Sequence, residues 1–160
     1  MNRYRSVVTL APSGAMNIHE YQAKRLLAQR GVAVPRGEAV ADPAQARAVA
    51  ERLAAAGAYR FAVKSQIHAG GRGQGTFTSG LQGGVGVCSS PGEVETRARA
   101  MLGQVLVTRQ TGPAGRPVNR VLVDEALPLE RELYVAVLLE RAAERPWLLA
   151  NSAGDRKSVV

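Results

Sequence analysis

Three stretches of the chain repeat one pattern: a polar cap, an apolar face at helical spacing, and a glycine that stops it. In the first, Asn17 is placed to cap a helix, with Glu20 three residues on as its capping-box partner. Ala23, Leu26 and Leu27 form an apolar stripe that the stem of Arg30 can extend, and Gly31 ends it. In the second, Asp42 is followed by Pro43 and Gln45, a strong start signal. Ala46, Val49, Ala50, Leu53 and Ala54 then share a face that Gly57 closes. The third begins at Ser90, Pro91 and Glu93, carries Val94, Ala98, Met101 and Leu102 inward, and stops at Gly103. Short β-rich runs between them predict strands at 37–40, 60–65 and 85–87. After Gly103 the alternation gives way to strands at 105–108, 118–123, 133–139 and 147–151, with a Gly/Pro turn at 111–115. Helices with strands first and antiparallel strands afterwards predict an α+β fold.

Composition changes this picture little. Hydrophobic residues make up 46% of the 160 positions and aromatics 4%, so Ala, Val and Leu must fill the core. The net charge of +8 raises the question of nucleic acid. The arginines are dispersed, no run of five like charges occurs, and no aromatics interleave with them, so a nucleic-acid partner is not expected. Cys88 is the only cysteine; it excludes an internal disulfide, suits a reducing cytoplasm, and reads as a small buried residue. With His19 and His68 the only histidines, a zinc site lacks ligands. No apolar run approaches the ~20 residues of a membrane helix, so no membrane partner is expected.

Candidate chemistry concentrates at residues 62–86. The apolar run Phe61-Ala-Val delivers Lys64, and a loop follows with glycines at 70, 71, 73, 75, 80, 83, 84 and 86 and Arg72 in its tightest part. Glycines let backbone N–H groups close on an anion while a lysine supplies a point charge, which suits phosphate. A solvated, flexible hairpin is the plain alternative. The loop is neither a Walker loop nor a Rossmann fingerprint, because no helical pattern follows it. Asp124 and Glu125 follow a strand, and Glu132 precedes the next; each is a candidate for a nucleotide's base or ribose. His68 reads as a hydrogen-bonding loop residue, and His19 as a residue that is structural or faces a partner.

Taken in order, MNIHEYQAK at 16–24, VKSQIHAGGRG at 63–73, MLGQVLVT at 101–108, QTGP at 110–113 and RELY at 131–134 resemble the β subunit of succinyl-CoA synthetase (succinate–CoA ligase). The resemblance covers about residues 16–154. It implies the N-terminal portion of an ATP-grasp fold: an α/β lobe, then the start of an antiparallel-sheet lobe. It places Lys64, Gly71, Arg72 and Gly73 on nucleotide-phosphate contacts, Glu132 on a nucleotide-binding glutamate, and the backbone of Leu127 on a further contact. At the hinge it leaves Asp124 and Glu125 as alternatives. It implies ATP, succinate and CoA as substrates in the tricarboxylic acid cycle. A malate–CoA ligase β subunit is the near alternative, and a non-catalytic ATP-binding module is another. The implied partner is an α subunit carrying the phosphohistidine, in a heterodimer or heterotetramer, so neither His19 nor His68 is that carrier. Family members take their Mg²⁺ ligands from a later region, so none is expected here. Residues 1–15 are expected to be an extension, and 155–160 a non-native tail on a truncated chain without activity of its own.

Overall fold

The computed structural model describes residues 17–140 and 144–152. The extension and tail expected at 1–15 and 155–160 lie outside these residues. The chain divides into two compact units, one ending at Ala126 and one beginning at Leu127.

In the first unit, helices α1 (Glu20–Gln29), α2 (Pro43–Ala55) and α3 (Pro91–Met101) alternate with strands β1 (Gly37–Val40), β2 (Phe61–Ser65), β3 (Thr76–Phe77), β4 (Val85–Cys88), β5 (Val105–Val107), β6 (Arg116–Pro117) and β7 (Val121–Glu125). The main sheet has the order β1-β7-β2-β4 and is antiparallel at every pairing. The last strand of this unit, β7, thus lies between β1 and β2. A small sheet of β3, β5 and β6 holds the far side of the glycine loop.

Strand periodicity divides the residues of the main sheet between two faces. Phe61 and Val63 of β2 and Val121 and Val123 of β7 join Ala46, Val49, Ala50, Leu53, Val94, Ala98 and Met101 in one core. The helices α2 and α3 therefore cover this face. Lys64 of β2 and Leu122 and Asp124 of β7 alternate onto the other face, where Asp124 pairs directly with Ala62 and lies diagonally from Lys64.

The caps of α2 and α3 form as the sequence predicts. Asp42 accepts from the N–H groups of Ala44 and Gln45, and Ser90 Oγ accepts from Glu93 N–H. Asp42→Ala is expected to lower stability by ~1 kcal/mol, read as a shift of the urea midpoint. A shift below a third of that would show the cap to be idle. One expectation fails in these helices: Ala54 is exposed, whereas Leu102, partly buried, packs against the core as expected. Cys88 is buried, and burial pushes its thiol pKa up.

The first helix departs further. Its N-cap is His19, not Asn17; the His19 N–H donates to Gln22 Oε1 at 2.8 Å. The stripe expected to be buried stays open, with Leu26 and Leu27 exposed and no buried residue in α1. The strand expected at 118–123 starts instead at Val121. Val118 is buried, but its N–H donates to Gln104 O and its carbonyl accepts from Gly103 N–H, outside the main ladder.

The second unit is an antiparallel ribbon of β8 (Tyr134–Glu140) and β9 (Arg145–Asn151). Both strands were expected, with slightly different ends.

Candidate functional site

Lys64 is the partly exposed residue of β2, on the sheet face opposite α2 and α3, and its ammonium meets two carboxylates. Nζ lies 3.0 Å from Glu20 Oε1 and 3.0 Å from Asp124 Oδ2. Asp124 turns its second oxygen to Lys24 Nζ at 2.5 Å, and Glu20 turns its second oxygen to Arg72 Nη2 at 2.7 Å. The result is one chain of alternating charge: Lys24, Asp124, Lys64, Glu20, Arg72. Arg72 is fixed further by donating Nη1 to Ser65 O at 2.6 Å. Asp124 is 1% exposed, and both its oxygens are paired with ammonium groups, as a buried carboxylate requires.

The electrostatics follow from this geometry. Burial raises the cost of ionising Glu20, but Lys64 and Arg72 outweigh it and hold its pKa below the usual carboxylate range. Burial likewise opposes charging Lys64, and Glu20 with Asp124 reverse this and raise its pKa. Both groups therefore stay charged across the neutral range. Three cations against two carboxylates leave the cluster one positive charge in excess.

The glycine loop is a tied structure, not a free hairpin. Gly71 takes φ +73°, a conformation that glycine adopts cheaply, and a 3₁₀ turn over Arg72–Gln74 follows. Gly84 N–H donates to Arg72 O at 2.7 Å, and Gly83 N–H to Gly75 O at 2.8 Å. Gly70 N–H donates to the Gln110 side chain at 2.7 Å. At Gly73 a Cβ would meet nothing within 4 Å, so the turn presents open space there. A cleft of about 400 Å³ runs beside the loop, lined by Glu20, Ile67, His68, Gly70, Arg72 and Gln110.

Asp124 and Glu125 part company. Neighbours on a strand point to opposite faces, and Glu125 joins Arg36 instead: Nε at 2.8 Å, Nη2 at 2.5 Å, and the Arg36 N–H at 2.8 Å. Those hydrogen bonds hold the Glu125 pKa down. Asp124 is thus the acid that the structure groups with Lys64 and Arg72. Leu127 and Glu132 belong to the second unit and are exposed there.

Sequence reasoning passed over Glu20 as a site residue and did not single out Lys24. Their spacing of four on one helix was the available signal, since it puts both side chains on one face. His68 behaves differently from expectation, stacking on His19 with ring centroids 3.8 Å apart. Burial first, then His68, Arg72 and Arg120, lower the His19 pKa. A wider cleft of about 710 Å³ flanks this pair, lined also by Tyr21, Gln66, Arg116 and Arg120.

The ATP-grasp domain family matches residues 17–156. The chain belongs to that family. Its sequence is 48% identical over 139 residues to the β subunit of succinate–CoA ligase [ADP-forming] of Opitutus terrae, covering 87% of this chain and 35% of that protein. It is 49% identical over 143 residues to the Caulobacter vibrioides subunit of the same name, again 87% of this chain and 35% of the relative. The Acidobacterium capsulatum subunit is 50% identical over 139 residues, 87% of this chain and 34% of its own length. The chain thus spans about a third of the length of these relatives. An ATP-grasp domain with three α-helices and antiparallel sheets among the described residues fits the expected N-terminal portion of that fold.

Proposed function

We propose that this chain is the nucleotide-binding part of a succinate–CoA ligase β subunit that uses ATP. The observation that carries the reading is the Lys64–Glu20–Arg72 bridge, which presents a strand-end lysine and a glycine-turn arginine together beside an open loop. Lys64 and Arg72 meet the phosphates, with the N–H groups of Gly71 and Gly73 closing the cradle. Asp124 orients Lys64 from below. Phosphoryl transfer needs positioning and charge neutralisation more than covalent help. The complete reaction, ATP with succinate and CoA to ADP, phosphate and succinyl-CoA, would need an α subunit for the phosphohistidine. The lone buried thiol agrees with a cytoplasmic setting. Among the described residues no helix is long and apolar enough to cross a membrane.

A Mg²⁺ ion does not fit this cluster. Glu20 and Asp124 each spend both oxygens on cations, and three positive side chains would repel a divalent ion. Among the described residues no group of three acidic, histidine or cysteine side chains could hold one.

The test is Lys64→Ala in the full-length protein. A charged contact to phosphate is worth about 1.5–3 kcal/mol, so ATP should bind at least tenfold more weakly by calorimetric titration. An unchanged dissociation constant would sink the assignment.

A further inference from the structure

We propose that Glu20 is a positioning residue of the phosphate clamp: its carboxylate bridges Lys64 and Arg72 and holds their remaining donors toward an incoming phosphate. The inference rests on the nucleotide reading above and adds a residue to it.

Three observations carry it. First, the bridge is bidentate across two elements. Oε1 takes Lys64 Nζ at 3.0 Å from strand β2, and Oε2 takes Arg72 Nη2 at 2.7 Å from the glycine turn. A carboxylate with one oxygen on each cation sets their separation, whereas two bare cations so close would repel. Second, the bridge leaves donors over. Lys64 has three N–H bonds and gives two to Glu20 and Asp124. Arg72 has five and gives one to Glu20 and one to Ser65 O. The clamp is oriented without being saturated. Third, Glu20 and Arg72 both line the open cleft beside Gly70, so the oriented face is where a ligand can enter.

Glu20 sits at the first position of α1, a helix that buries no residue. It could therefore serve only to pin that helix, and the test must tell the two roles apart. ATP and adenosine are titrated against full-length wild-type protein, Glu20→Gln, Lys64→Ala and the double variant. Positioning predicts a five- to tenfold weaker ATP affinity for Glu20→Gln and adenosine affinity within twofold of wild type. Because Glu20 acts in part through Lys64, it further predicts that Glu20→Gln costs less ATP affinity in the Lys64→Ala background than in the wild type. Equal losses for ATP and adenosine, or full additivity, would assign Glu20 to pinning the helix and overturn the proposal. ATP binding as tight as wild type, or tighter, would also overturn it; tighter binding would make Glu20 a competitor of the phosphates. Should Glu20→Gln fail to fold, Glu20→Asp keeps the charge but is too short to bridge both cations. It is then expected to lose ATP affinity threefold or more, and wild-type affinity would refute the bridge. If Lys64→Ala leaves ATP binding intact, the nucleotide reading itself fails. If only Glu20→Gln leaves it intact, the present inference alone fails.

Discussion

Asp124→Ala is expected to lower the stability of the fold by about 3 kcal/mol. Asp124 is 1% exposed and stands between Lys24 and Lys64, which are 16% and 24% exposed. Removing it leaves two ammonium groups facing each other over the sheet: among the described residues Lys64 keeps its ion pair with Glu20, whereas Lys24 makes no second ion pair and feels only the Glu125 carboxylate, which Arg36 holds. The penalty is set mainly by the stranded charges and less by the lost attraction, because desolvation roughly cancels that attraction while the pair is intact. Partial exposure lets water relieve the lysines, which places the figure at the low end for a broken buried pair. Asp124→Asn keeps the shape and one acceptor but loses the charge, so it should cost nearly as much. Urea unfolding decides the matter: the midpoint falls while the slope stays constant. A loss under 1 kcal/mol for the alanine variant would show that the lysines find other partners.

What the sequence made legible is local. Asp42 with Pro43, and Ser90 with Pro91, announce α2 and α3 because a cap and its N–H donors lie within three residues of each other. Gly57 and Gly103 stop their helices at positive φ, which side chains resist. Lys64 and the glycine turn were legible for the same reason: one strand passes directly into one loop. The start of α1 misled because the side chain that serves it, Gln22, reaches back to a histidine backbone, and His19 is not a usual cap residue. Leu26 and Leu27 misled because an apolar stripe predicts burial but cannot say what covers it. The place of β7 between β1 and β2 was not legible, because sequence order says nothing about insertion into a sheet. Hardest to see was the charge chain. Glu20 meets Lys64 across 44 positions and Lys24 meets Asp124 across 100, and pairing over such distances is decided by the sheet register together with where α1 docks. That register also separates Asp124 from Glu125, two acids that sequence alone left equivalent.

Gly37→Ala should destabilise the fold by about 2–3 kcal/mol, although Gly37 lies on a strand in ordinary extended pairing. In the register of β1 with β7, Gly37 stands opposite Asp124. A Cβ at Gly37 would fall 2.8 Å from Asp124 Cα and closer still to Asp124 Oδ1 and Val123 O. The backbone contacts cannot yield without parting the β1–β7 ladder, and the carboxylate cannot yield without leaving Lys24 or Lys64. The glycine is thus required by the close approach of the β7 backbone and the Asp124 carboxylate, not by an unusual backbone angle. The substitution should therefore do two things together: lower the urea midpoint, and weaken ATP binding in the full-length protein by loosening Lys64. Gly92→Ala is the control, since its Cβ would meet only Ser90 Oγ at 4.0 Å within a helix that favours alanine over glycine. It should leave both readings unchanged or raise stability slightly. If Gly37→Ala proves as stable as Gly92→Ala, the strand can shift to admit a methyl group, and Asp124 does not depend on an empty position beside it.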